Sequence, residues 1–138
     1  MVRAGVPGEG TAQALERLPS ALDEYSPRLV LLCIGGNDFL RRLGSAQAEA
    51  NVRAMVKLAK SRGMDVFLIG TPEPALLPSP PAFYAAVAKD FSIPYESGVI
   101  TEVLKDASLK SDPIHPNARG YRVIAERLAE RLKKAGAI

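Results

Sequence analysis

Cysteine is almost absent. Cys33 is the only one, so no disulfide can form within the chain and no cysteine cluster can hold a metal. No apolar run approaches the roughly 20 residues that a membrane span needs. Charge of one sign is also scarce: the net charge is +3 over 138 residues. Basic residues are scattered, and their one cluster, Arg131, Lys133 and Lys134, falls at the end of a predicted helix. Positive side chains there complement the helix dipole, which argues against nucleic-acid binding. The glycines at Gly5, Gly8 and Gly10 lack the dinucleotide-binding spacing. No phosphate-loop lysine follows them, and no acidic ribose ligand stands at a later strand end. Internal repeats, low-complexity segments and linkers are missing too.

What is present is ordinary for a globular protein, with 47% hydrophobic and 24% charged residues. A chain of this size buries about two-thirds of its unfolded surface, enough for one core. Residues 1–138 are therefore read as one domain.

The order of elements points to an α/β fold. Val2 to Ala4 could end a strand, and a glycine-rich turn follows. Thr11 looks like a helix N-cap, with Ala12, Ala14, Leu15 and Leu18 at helical spacing. Pro19 predicts a kink or restart before Ala21, Leu22 and Tyr25. Leu29 to Ile34 is continuously apolar, as in parallel strands covered on both faces. A helix is expected from Ser45 to Arg62, stopped by Gly63. Met64 to Gly70 reads as a second buried strand. A proline-rich loop to Pro81 leads to a helix over Ala82 to Phe91, a short strand at Ile93 to Glu96 and a helical stretch near Val99 to Lys105. The last helix is expected from Asn117 to about Lys134, with Tyr121, Ile124, Ala125, Leu128 and Leu132 as its core stripe. Such alternation implies a parallel sheet with right-handed crossovers.

Ligands of open parallel sheets bind beyond the carboxyl ends of the strands. Three stretches can converge there: Gly5 to Gly10, Gly35 to Asp38, and Asp112 to His115. Asp112 is close enough in sequence to fold back on the imidazole of His115, fixing its tautomer and stabilising the imidazolium. Taken alone, the pair reads first as a helix-start aspartate beside an incidental histidine. The Asn37 side chain could donate to a developing oxyanion; equally, Gly36-Asn37-Asp38 could be a plain turn. Gly8 could offer a backbone N–H to the same crevice.

Together these residues resemble the SGNH (GDSL-type) hydrolase family, particularly its arylesterase, lysophospholipase and thioesterase branch. Ala4 to Thr11, continuing through Arg17-Leu18-Pro19, resembles the family's second sequence block. Gly35-Gly36-Asn37-Asp38 resembles the third, and Asp112-Pro113-Ile114-His115-Pro116-Asn117 with Gly120-Tyr121 the last. The resemblance implies a three-layer α/β/α, flavodoxin-like parallel sheet. It also implies hydrolysis of a carboxylic ester or thioester through a serine acyl-enzyme, without metal or organic cofactor. Gly8 and Asn37 would be oxyanion-hole donors, and Asp112 and His115 the acid and base. The loop from Thr71 to Pro81 would wall the substrate site, where Ala75-Leu76-Leu77 suits apolar acyl groups or simply packs.

One block has no counterpart. The Gly-Asp-Ser-Leu-like stretch that carries the family's nucleophile is not found, so the chain is expected to lack its first strand and the serine. Cys33, expected to be buried and inert, Ser97 and Ser111 are poor substitutes. The alternative is a catalytically inactive remnant or ligand-binding module. Any targeting signal would lie in the absent segment, which leaves the cytoplasm and the periplasm open. Without a central strand, Leu29 to Ile34 would form an unpaired edge, predicting a homo-oligomer or an exchanged segment that covers it.

Overall fold

Apolar runs without alternation build the sheet in the computed structural model, which describes residues 1–138. Strand β1 (Leu29–Cys33) pairs in parallel with β2 (Asp65–Ile69), Leu29 opposite Asp65 and Cys33 opposite Ile69. A third strand, β3 (Tyr95–Glu96), lies parallel on the other side of β2, giving the order β1-β2-β3. Successive side chains of a strand point to opposite faces. Val30, Leu32, Val66 and Leu68 accordingly join one apolar cluster, while Leu29, Leu31, Phe67 and Ile69 join a second.

Helices cover both faces. On the larger cluster lie α1 (Thr11–Tyr25), α3 (Ser45–Ser61) and α4 (Phe83–Phe91), α1 against α3 and α3 against α4. Between β1 and α3 runs the short α2 (Gly36–Leu40). The α3 stripe, Ala48, Val52, Met55, Val56 and Ala59, recurs at three- and four-residue steps and is almost wholly buried. On the second face lie α5 (Val99–Lys105) and α6 (Ala118–Lys134), packed on each other. Two helical layers about a parallel sheet make the three-layer α/β/α fold. No helix is long and apolar enough to cross a membrane.

Several local expectations are corrected. Val2 to Ala4 forms no strand, and the third strand holds Tyr95 and Glu96 alone. Gly10, not Thr11, is the residue before α1, and the helix runs through Pro19 without interruption. A proline within a helix forfeits one main-chain bond, and packing of Ala14, Leu15, Leu18 and Leu22 on the core outweighs that loss. The α6 stripe is only partly covered: Leu132 is buried, Ile124 and Leu128 half-buried, Tyr121 and Ala125 exposed. A sheet of three strands is too narrow to cover all five positions.

β1 departs furthest from its sequence pattern. It pairs only with β2, so one edge of its backbone is open. Leu29, Val30 and Leu31 are half-buried, whereas Val66 to Ile69 on β2 are buried. Cys33, expected in the core, is exposed at the strand's carboxyl end, with Sγ 3.8 Å from Thr71 Oγ1.

Candidate active site

The site is best built from its turns. Glu9 N–H donates to Val6 O at 3.2 Å across Pro7-Gly8, and Gly8 has φ +76°. Proline second and positive φ third define a type II turn, which glycine alone adopts freely. The Gly8 N–H has no acceptor within the chain. The carbonyls that follow face α2: Arg41 Nη2 donates to Gly8 O at 2.6 Å and Asn37 Nδ2 to Glu9 O at 3.0 Å. Asn37 thus uses one amide hydrogen to hold the turn and keeps a second.

Beneath the turn lies Asp38, 2% exposed. Its Oδ1 accepts from Thr11 N–H at 2.7 Å, and its Oδ2 from the Thr11 hydroxyl at 2.5 Å. Gly10 has no side chain to cap α1, so Asp38 caps the helix from 27 residues away. Asn51 Nδ2 on α3 donates to Thr11 Oγ1 at 3.0 Å, completing the buried chain. Arg17 clamps the same region with two bonds to Glu9, at 2.8 and 2.9 Å, and one to Ala4 O. The Arg17 hydrogen bond holds the Glu9 carboxyl below its ordinary range, against a smaller opposing effect of burial.

Gly35 fixes where α2 starts. Its φ is +124°, and the buried Tyr84 hydroxyl donates to the neighbouring Ile34 O at 2.5 Å. A Cβ at Gly35 would stand 2.2 Å from that hydroxyl, so no larger residue fits without moving Tyr84. Burial pushes the Tyr84 hydroxyl's pKa well up, which keeps it a donor.

The acid and base sit on a small hairpin rather than a loop. β4 (Lys110–Asp112) pairs antiparallel with β5 (His115–Pro116), Asp112 opposite His115. Asp112 Oδ1 accepts the Ile114 and His115 N–H groups, each at 2.8 Å. His115 Nδ1 lies 3.1 Å from Oδ1 and 2.9 Å from Oδ2. The Ile114 N–H, then the His115 ring, hold the Asp112 carboxyl below the usual aspartate value. An ionised carboxylate only accepts, so Nδ1 of the neutral ring carries its hydrogen and Nε2 presents a lone pair. Asn117 anchors the hairpin to α6: its side chain accepts from Gly120 N–H and donates to Ser108 O at 2.9 Å and to Lys110 O. Ser111 Oγ is directed at the carbonyls of His115 and Pro116.

The structure therefore joins Gly8 to Asn37 through the turn, and Asp112 to His115 on the hairpin. Sequence reasoning gave Asp38, Arg41, Thr11 and Asn51 no part in the site. Asp38 stood inside a recognised block, but a cap reaching across 27 residues has no local signature. Arg41 carried no signal at all. A cleft of about 440 Å³ opens beside α2, lined by Phe39, Leu40, Arg42 and, across it, Glu73 and Pro74. None of the four expected residues lines it.

Comparison with known proteins bears on the family and the fold. Residues 1–123 match the model of the GDSL-like lipase/acylhydrolase family. The chain is 32% identical over 139 residues to thioesterase 1/protease 1/lysophospholipase L1 of Escherichia coli, covering 96% of this chain and 67% of that protein. It is 26% identical to an arylesterase of Vibrio mimicus, over 97% of this chain and 70% of that one. Among solved structures, TesA superposes with TM-score 0.83 at 30% identity, over 96% of this chain and 77% of the other. The esterase EstA from Pseudoalteromonas superposes with TM-score 0.84 at 23% identity, a likeness of fold. Fold, blocks and relatives converge: the chain belongs to the GDSL-like lipase/acylhydrolase family.

Proposed function

We propose that residues 1–138 are the base-bearing part of one SGNH domain that hydrolyses carboxylic esters or thioesters, its serine nucleophile coming from outside these residues. The observation that carries the reading is the Asp112–His115 pair, aligned through both carboxylate oxygens and leaving Nε2 unpartnered. In this reading the serine oxygen bonds to the substrate carbonyl carbon while His115 Nε2 takes the hydroxyl proton. Gly8 N–H and the second hydrogen of the Asn37 amide stabilise the oxyanion. The tetrahedral species collapses, and His115 returns the proton to the departing alcohol or thiol. Water then repeats the sequence on the acyl-enzyme. The names of the relatives, thioesterase, lysophospholipase and arylesterase, support an acyl ester or thioester as substrate.

The test is activity of the chain by itself. On short p-nitrophenyl esters only trace turnover is expected, and a fluorophosphonate probe should leave no adduct. Robust turnover that survives both Asp112→Ala and His115→Ala would show that these roles are misassigned. An adduct on a serine would locate a nucleophile inside the chain, Ser97 and Ser111 being the ones set aside above. A chain that binds acyl ligands without turnover, even after a segment carrying the serine is supplied, would be a binding module instead.

A further inference from the structure

The loop expected to wall the substrate site carries a surface that Gly8, Asn37, Asp112 and His115 do not use. Between Pro72 and Pro81 the chain doubles back, Glu73 N–H donating to Ser79 O at 3.0 Å in an isolated antiparallel bridge. Leu76 and Leu77 stand at the tip of that excursion, 99% and 79% exposed. They neither pack inward nor belong to either apolar cluster. Across the 440 Å³ cleft from Glu73 and Pro74 stands Leu40, the last residue of α2, and Leu43 just beyond it is exposed as well. Between those two leucines lie Arg41 and Arg42, both exposed and neither in an ion pair. Arg41 is engaged only with a neutral carbonyl, Gly8 O. Arg42 holds φ +55°, a left-handed conformation that costs energy for a side chain of this kind. Glu73 is the one carboxylate lining the cleft.

We propose that this face docks the protein on the surface of an anionic phospholipid bilayer, the leucines entering the acyl boundary and the arginines meeting the phosphates. Leucines on a projecting tip suit a soft apolar layer, whereas a folded partner would need a matching hollow. Exposed apolar groups flanked by arginine are the composition of interfacial anchors. A second copy is disfavoured, because a symmetric contact would bring both pairs of guanidinium groups together. The inference does not depend on the nucleophile, so it is tested on the chain as it stands.

The experiment is co-sedimentation with vesicles of phosphatidylcholine containing about one-third phosphatidylglycerol, against phosphatidylcholine alone. The chain should pellet with the anionic vesicles, and high salt should release it. Leu76→Asp with Leu77→Asp should weaken partitioning at least about tenfold, since one buried leucine is worth roughly that factor. Those side chains touch no core, so circular dichroism should be unchanged. Arg42→Glu should weaken binding to anionic vesicles only, while Lys133→Glu with Lys134→Glu on α6 should leave it intact. No binding by the unaltered chain, or equal binding by the double leucine variant, overturns the proposal. So does loss of binding through Lys133 and Lys134 alone, which would mark a diffuse charge effect. A self-associated species broken up only by the leucine substitutions would assign the face to a second copy, and would overturn it as well.

Discussion

Replacing Asp38 by alanine tests whether one carboxylate holds the Pro7-Gly8 turn in place. The substitution removes the cap of α1, a loss worth about 0.5–2 kcal/mol in helices capped by a side chain. It also leaves the buried Thr11 hydroxyl without its acceptor, at about 1–3 kcal/mol for an unsatisfied buried group. Both groups are buried, Thr11 at 0% and Asp38 at 2% exposure, so water cannot replace the lost oxygens cheaply. Together these come to about 1.5–5 kcal/mol. Near 3 °C per kcal/mol for a chain of this length, the midpoint should fall by about 5–15 °C. Asp38→Asn keeps an acceptor for Thr11 N–H, and its amide can donate to Thr11 Oγ1 beside the Asn51 amide, so about 1 kcal/mol is expected. Urea unfolding followed by circular dichroism reads both, with unchanged m-values showing that only stability moved. If Asp38→Ala stays within about 0.5 kcal/mol of the parent, the cap is not what holds the turn, and the reasoning fails.

Four further outcomes are expected. Gly35→Ala should destabilise by about 2–5 kcal/mol, combining strain at φ +124° with displacement of the Tyr84 hydroxyl from Ile34 O; thermal unfolding checks it. Burial raises the Glu96 carboxyl, but the Gly98 N–H, Arg131 and the Val99 N–H outweigh it, so its folded pKa lies below the ordinary value. Its contribution is therefore present above the unfolded glutamate pKa and is lost as pH falls through the folded one. Glu96→Gln should flatten that acid limb of the stability curve. Light scattering should report a species larger than a monomer, paired through the open edge of β1, and it should persist in the variant carrying Leu76→Asp and Leu77→Asp. If a segment carrying the serine is restored, Asn37→Ala should lower kcat by about 10²–10³ with KM little changed, because the amide acts on the transition state. An effect on KM alone would make Asn37 a substrate-binding residue.

The apolar runs, the alternation of strands and helices, and the three short blocks were legible in the sequence. Those features are local: Leu29 to Ile34 and Val66 to Ile69 need covering on both faces whatever surrounds them, and Pro113 with the main-chain N–H groups of Ile114 and His115 confines Asp112 beside His115. What tertiary structure alone decided depends on groups far apart in the chain. Asp38 caps α1 from across 27 residues, Arg41 holds Gly8 O from 33 residues on, and Tyr84 forbids a side chain at Gly35. Packing on α3 kept α1 intact through Pro19, overriding a local preference worth one hydrogen bond. The fate of β1 shows the same division. Its composition is that of an interior strand, but composition cannot choose a neighbour; with β2 on one side only, Cys33 is exposed and the outer backbone edge is open.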